Sequence, residues 1–398
     1  MQRGSRRATV GVLCACAMSV WSVLSMAQLD SPIAWGPILG APGEASIVIT
    51  WKTTRPVNLD IQYAKTEDFQ EDGTWEEILS YDDHEGLGQF ALRGLEPGTQ
   101  YVCELIFYEG DAEYRTALAT FRTLSSELGD LSFAVYGATA SGPDHHRWVA
   151  ESILTEPDLD LVFHAGGLVE APSEERYANF FWAMSSLGEA IPYLTVIGGQ
   201  DGESELYFDA FALPPGGGHR GKQWWSFDFG PVRFIGLDST VFLRSDESAL
   251  QEQTAWLASM LESAAGKMTV AFCADAVYSA TYRTGRNAPI ADRWDPLFRE
   301  HGVSVVFSGS LRGYEHIYAQ GIHYINTGGG GSPAGPPPTQ IAAGTVFRRF
   351  GVLHYLRASF SEGSLRVEAI PVASVSGETV ILSATGQPMD VFTVRAGE

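Results

Sequence analysis

The chain has 398 residues, 45% of them hydrophobic and 12% aromatic, enough to bury a core and to exclude a disordered chain. Lys and Arg number 26 against 48 Asp and Glu, a formal net charge of -22; this excludes a general nucleic-acid binder, which needs a basic face, and argues against docking on anionic lipid. Four Cys are too few for a disulfide scaffold, no interior run is long and apolar enough to span a bilayer, and the length allows two domains or a little more.

Residues 1–27 have the layout of a secretory signal peptide. Arg3, Arg6 and Arg7 start it, an apolar stretch runs from Ala8 to about Leu24, and Ser25-Met26-Ala27 puts small residues at a cleavage site. Export by cleavage is the expectation, with no stable membrane span afterwards and a destination in the periplasm, at the cell surface or outside the cell. Leu13-Cys14-Ala15-Cys16 faintly resembles a lipoprotein box, and Arg6-Arg7 a twin-arginine signal. Cleavage removes three Arg and no acid, taking the charge to about -25. It also removes Cys14 and Cys16 and leaves Cys103 and Cys273 on separate apolar runs; both read as buried free thiols.

Residues 31–124 read as all-β. Ser46 to Trp51, Leu59 to Tyr63 and Tyr101 to Leu105 alternate or are rich in β-branched and aromatic residues. Leu95-Glu96-Pro97-Gly98-Thr99-Gln100-Tyr101 has the form of a turn feeding a tyrosine corner. With Trp51 as core aromatic and Phe121-Arg122-Thr123 as exit strand, this stretch resembles a fibronectin type III-like sandwich.

From about residue 130 the pattern becomes strand, glycine turn, helix. Leu131 to Tyr136 ends in Gly137, Leu159 to His164 leads to Gly166-Gly167, and Ile191 to Ile197 ends in Gly198-Gly199; a helix is expected over His145 to Leu154, with Asp144 as its N-cap. This implies an α/β layered domain over 130–398 with a mostly buried sheet and functional loops at the carboxyl ends of strands. Strand-like runs return at Val352 to Ala358, Ser364 to Ile370 and Val391 to Val394, so the sheet should finish antiparallel.

The glycine turns, in order, resemble the loops of calcineurin-like metallophosphoesterases, and with the sandwich in front nearly all of 31–398 is similar to their purple acid phosphatase-like branch. The resemblance implies a four-layer α/β (α+β) metallophosphoesterase sandwich. It also implies a dinuclear Fe, Zn or Mn site built from five loops, whose metals clamp a phosphate and activate water. At the matching positions the ligand types are missing. Ala138 stands at the first Asp and Gly167 at the bridging Asp, in Gly166-Gly167-Leu168-Val169, where Glu170 replaces a Tyr ligand. In Gly198-Gly199-Gln200-Asp201, Gly199 takes the Asn position and Gln200 that of the catalytic His. The next His falls on Cys273 or Ala274, depending on register. Ser310 and Arg312 occupy the two His positions of the last loop, Gly309-Ser310-Leu311-Arg312-Gly313-Tyr314-Glu315. Ala and Gly offer no donor, Ser is a poor divalent-metal ligand and Arg cannot ligate. The framing segments Trp225 to Gly230, Phe234 to Ser239 and Tyr324 to Gly331 are kept.

No cofactor is therefore predicted. Neighbours that could rebuild a site are His164, Glu170, Asp201, Asp238, Asp275 and Glu315. Asp144-His145-His146 reads as a helix start, and His316 takes the place of a basic residue found after the last motif. No Gly-x-Ser-x-Gly elbow surrounds Ser141, Ser308 or Ser310. A guanidinium from Arg312 lying in the old metal space would pair with Asp201 or Asp275, since a buried charge needs a partner; the alternative is that Arg312 turns to solvent. The leading functional reading is a non-catalytic binding or regulatory protein whose ligand or protein partner is unknown. The alternatives are a phosphoric ester hydrolase with a rebuilt metal site, and an adhesive surface protein acting through the sandwich. Trp224-Trp225 and Phe180-Phe181-Trp182 are aromatic clusters that line either a ligand face or the core, with core favoured for Trp225.

Overall fold

A computed structural model describes residues 31–127, 129–202, 204–332, 337–376, 379–382 and 386–395. The signal-peptide reading, with Cys14 and Cys16, lies outside them.

Eight strands form the first unit: β1 (Ile33–Gly40), β2 (Ser46–Thr53), β3 (Val57–Lys65), β4 (Glu77–His84), β5 (Leu87–Arg93), β6 (Gln100–Glu109), β7 (Ala112–Arg115) and β8 (Ala119–Arg122). One sheet has the order β1-β2-β5, the other β4-β3-β6-β7 with β8 also on β6, all antiparallel. Their inward side chains alternate along the strands. Ile47, Ile49 and Trp51 of β2 meet Leu59 and Ile61 of β3 and Tyr101, Cys103, Leu105 and Phe107 of β6 in one core. The Tyr101 hydroxyl accepts a hydrogen bond from the Glu96 N–H at 2.9 Å, the geometry of a tyrosine corner. Helix α1 (Thr66–Asp72) links β3 to β4.

The rest contributes β9 (Leu131–Tyr136), β10 (Leu161–His164), β11 (Tyr193–Thr195), β12 (Gly216–Gly217), β13 (Trp224–Phe229), β14 (Val232–Leu237), β15 (Met268–Cys273), β16 (Val303–Ser308), β17 (Tyr314–Ala319), β18 (Ile322–Thr327), β19 (Thr345–Arg349), β20 (Val352–Ser361), β21 (Ser364–Ser376), β22 (Thr379–Leu382) and β23 (Asp390–Arg395). One sheet has the order β11-β10-β9-β20-β21-β22, with β23 also on β21; the other has the order β12-β13-β14-β15-β16-β18-β17-β19. The chain finishes antiparallel, as the run of strands from Val352 suggested.

Period-two alternation explains the layering. Phe234, Phe272 and Phe307 turn towards the other sheet, where Phe163 stacks on Phe272 at 4.3 Å between ring centroids and Phe133 meets Phe234 edge-on at 5.3 Å. Their neighbours Ile235, Ala271, Cys273 and Val306 turn outward, under α6 (Glu247–Ser263) and α7 (Ala288–Glu300). On the opposite outer face lie α2 (Pro143–Ile153) and α3 (Glu174–Ala190). Two short helices, α4 (Glu205–Ala210) and α5 (Val241–Arg244), lie in loops. The result is four layers, helix–sheet–sheet–helix. Capping starts two of the long helices: Ser173 accepts from the Arg176 N–H and Asp246 from the Ala249 N–H. In α2 the N-cap is Gly142, with Pro143 opening the helix. Asp144, expected as the cap, is one turn position further in and exposed, because Pro at N1 fixes the entry.

The sandwich is joined to the layered unit. Trp35 of β1 stacks on Phe181 of α3 at 4.5 Å, and the Ala41 N–H donates to the Ala212 carbonyl at 2.8 Å. Cys103 and Cys273 are free and buried, with burial pushing both thiols up. Trp224 and Trp225 are core residues, as are Phe180 and Phe181, whereas Trp182 is 38% exposed.

Candidate functional site

The loops after β9, β10, β15 and β16 meet at one point. The Ala138 N–H donates to the Gly166 carbonyl at 3.1 Å, and the Ser310 N–H to the Ala274 carbonyl at 3.0 Å. A Cβ on Gly166 would fall 2.4 Å from the Ala274 Cβ; one on Gly167 would sit 3.4 Å from the Ala138 Cα and 3.6 Å from the Ser310 Cα. Ala138, Gly167, Ala274 and Ser310 are thus mutual neighbours, pressed backbone against backbone. Register is decided by the pleat: Cys273 points into the outer core beside Leu257 and Trp294, and Ala274 faces the loop cluster. Gly199 and Gln200 are exposed at the rim.

A dinuclear centre requires several convergent oxygen or imidazole donors. Of the four residues Ala138, Gly167, Ala274 and Ser310, only Ser310 carries a side-chain donor atom, its hydroxyl. Among the described residues no three His, Cys, Asp or Glu side chains are grouped to hold a metal ion. The residues present do not fit the metal pair that the resemblance implies.

The six neighbours weighed for a rebuilt site are each engaged elsewhere. Asp201 is fully buried; its carboxylate accepts from the Val169 N–H at 2.9 Å and the Gly198 N–H at 2.8 Å, clasping the second loop to the third. Burial pushes it up to about 7, against the pull of backbone N–H groups from Val169, Gly198, Leu168 and Gly167. Asp275 accepts from the Ser239 hydroxyl at 2.8 Å, and burial raises it. Asp238 accepts from Gln223 at 2.7 Å, from the Thr240 N–H at 2.7 Å and from Arg244 at 3.1 Å. Glu315 accepts from the Ala280 N–H at 3.1 Å and from the Ser279 hydroxyl. Glu170 pairs with Arg176 at 3.2 Å.

His164 is fixed in one tautomer. Its Nδ1 accepts from the Gly166 N–H at 3.3 Å, so Nε2 carries the proton and donates to Thr139 Oγ1 at 3.0 Å; the Thr139 hydroxyl passes on to the Leu168 carbonyl at 3.0 Å. Burial holds this imidazole well below its usual range. It laces the first loop to the second. Nearby, His146 Nε2 bonds the Tyr136 hydroxyl at 2.9 Å, which bonds that of Tyr193 at 2.7 Å.

Arg312 does not fill the junction. It is exposed, and Asp201 and Asp275 are held by the groups just named. His316 lies away from the loops: its Nδ1 bonds Asp390 and its Nε2 bonds His323 Nδ1, each at 2.8 Å. Sequence reading gave no signal for the Thr139–His164 lace or the Asp390–His316–His323 chain, whose members belong to different elements.

No protein-family model matches the chain, and no curated protein matches it. Solved structures do. Purple acid phosphatase PPD1 from yellow lupin (Lupinus luteus) seeds superposes with a TM-score of 0.70 at 15% identity, covering 90% of this chain and 74% of that one. PhoD gives 0.68 at 14%, covering 92% and 90%. GAP50, the anchor in the inner membrane complex of Plasmodium, gives 0.55 at 15%, covering 68% and 90%. The chain carries the fold of purple acid phosphatase PPD1 and of PhoD, a β-sandwich followed by a four-layer metallophosphoesterase sandwich.

Proposed function

We propose that this chain is an exported protein that uses a phosphoesterase fold for binding, without metal-dependent hydrolysis. One observation carries the reading: the loops that would supply metal ligands converge, but present Ala138, Gly167, Ala274 and Ser310, of which only Ser310 carries a side-chain donor atom. The carboxylates and the imidazole nearest by are committed to tying loops together. GAP50 is described as an anchor, a role of attachment that agrees with this reading. The acidic charge of the chain would repel a phosphate ester unless the cleft is locally positive. The sandwich is a second surface through which a partner could be held.

The test is metal content and turnover together. Protein purified without chelator after growth with added Mn, Fe and Zn is expected to carry far less than one equivalent of metal and to leave p-nitrophenyl phosphate uncleaved. A stoichiometric metal, or hydrolysis that chelator abolishes, would restore the hydrolase reading and make Asp201 and Asp275 the first residues to substitute. Amino-terminal sequencing of the mature protein checks export, with Gln28 expected as the first residue.

A further inference from the structure

Away from the loops, a cleft of about 440 Å³ opens between the sandwich and α3. Trp35, Phe181 and Trp182 line it, with Arg115, Thr116 and Glu189. The two tryptophans come from different units, so the cleft exists only when both are in place.

Its chemistry is selective. Arg115 is already paired with Glu104 at 2.9 Å and with Glu113. Glu189 has no cationic partner among the described residues, and its one hydrogen bond is a long one, 3.4 Å from the Ala117 N–H. Among the described residues these two are the only charged groups lining the cleft. Trp182 already takes a cation: the Arg147 guanidinium stands 5.1 Å from its ring centroid.

We propose that this cleft binds a small organic cation, a primary or quaternary ammonium, through the aromatic faces of Trp35 and Trp182 and the carboxylate of Glu189. Aromatic faces attract an ammonium through the ring quadrupole, most strongly when water is excluded. The carboxylate supplies the compensating charge, and the net charge of -22 draws cations to the surface. Burial pushes Glu189 up to about 7, as expected of an acid whose counter-ion is a ligand. A neutral sugar would also stack on tryptophan, but it would leave the uncompensated carboxylate unanswered.

The experiment is calorimetric titration of the purified protein with choline and with butylammonium, beside the neutral isostere 3,3-dimethylbutanol and methyl glucoside. Both cations are expected to bind saturably, with the alcohol and the glucoside at least about tenfold weaker. Glu189→Gln and Trp182→Ala should each weaken cation binding by about tenfold, while Trp182→Phe keeps most of it. Binding should also weaken about tenfold from pH 8 to pH 6, as Glu189 takes up its proton. Glu189→Gln removes a strained charge, so the variant should fold, and circular dichroism checks this. Absence of saturable cation binding, equal binding of the alcohol, preference for the glucoside, or an undiminished Glu189→Gln variant would each overturn the proposal.

Discussion

Asp201→Asn tests the assignment of Asp201 as a loop clasp. The wild-type carboxyl is fully buried and faces backbone N–H groups from both loops it joins. Its ordinary value of 3.8 rises to about 7 in the fold. A carboxyl whose folded value is raised binds its proton in the folded state first. Its stabilising contribution is therefore complete below the unfolded value and is lost as pH rises through the folded one. Each pH unit between the two corresponds to about 1.4 kcal/mol, so cooling the charge off between about pH 7 and pH 5 gives the wild type roughly 3 kcal/mol. An Asn cannot titrate, and its amide is close in shape to the protonated acid. Urea unfolding of both proteins from about pH 5 to pH 8 should therefore show the wild type gaining on Asp201→Asn by roughly 3 kcal/mol as pH falls. A pH-independent difference, or a wild type that gains towards alkaline pH, would refute the reasoning. It would mean that the backbone N–H groups hold an ionised carboxylate more strongly than burial opposes it.

Gly166→Ala and Gly167→Ala form a matched pair. Both glycines have positive φ, 97° and 75°, so both substitutions share a backbone cost of about 1–2 kcal/mol; only the first drives a methyl group to 2.4 Å from the Ala274 Cβ. Gly166→Ala should be the worse by a further ~1–3 kcal/mol in urea unfolding, and equal costs would show that the loops are not closed on each other. Tyr101→Phe removes the acceptor for the Glu96 N–H and should cost about 1–2 kcal/mol, with secondary structure by circular dichroism unchanged. His146 is held neutral by burial, down to about 3. The unfolded chain protonates first, so stability present above about pH 6.5 is lost as pH falls towards the folded value. His146→Gln should lose about 2 kcal/mol less than wild type between pH 6.5 and pH 5, and a parallel decline would refute the assignment.

Sheet, turn and layer were legible because each has a short-range signature. Alternation in Met268–Cys273 already separates Val270 and Phe272 from Ala271 and Cys273, and that separation is the division between inner and outer core. The glycine turns stood out because backbone meets backbone there. What joins the loops was not legible. Asp201 reads in sequence as a stray acid beside a lost motif, and only the arrival of Val169 N–H from another loop makes it a clasp. His164 could have been ligand, base or core, and its tautomer is set by Gly166 and Thr139 together. Arg312 is exposed, the alternative that the sequence left open beside a pairing with Asp201 or Asp275, and no local pattern decides between the two. The cleft at Trp35 and Glu189 depends on contact between two units, for which the sequence carries no periodic signal.

These contacts also show how the loops of this fold are held together without metal ligands. In a metal centre, ligands serve chemistry and hold loops together. Here the second task is carried by other groups: Asp201 between the second and third loops, His164 with Thr139 between the second and first, Glu315 with Ala280, and Asn326 with the Leu311 carbonyl at 3.1 Å. None of these stands at a ligand position. With such a lattice holding the loops, small residues at Ala138, Gly167 and Ala274 are compatible with an intact fold. A single carboxylate introduced at position 167 would find Ala138, Ala274 and Ser310 around it and, among the described residues, no uncommitted carboxylate or imidazole to share a metal, so it would carry an uncompensated charge.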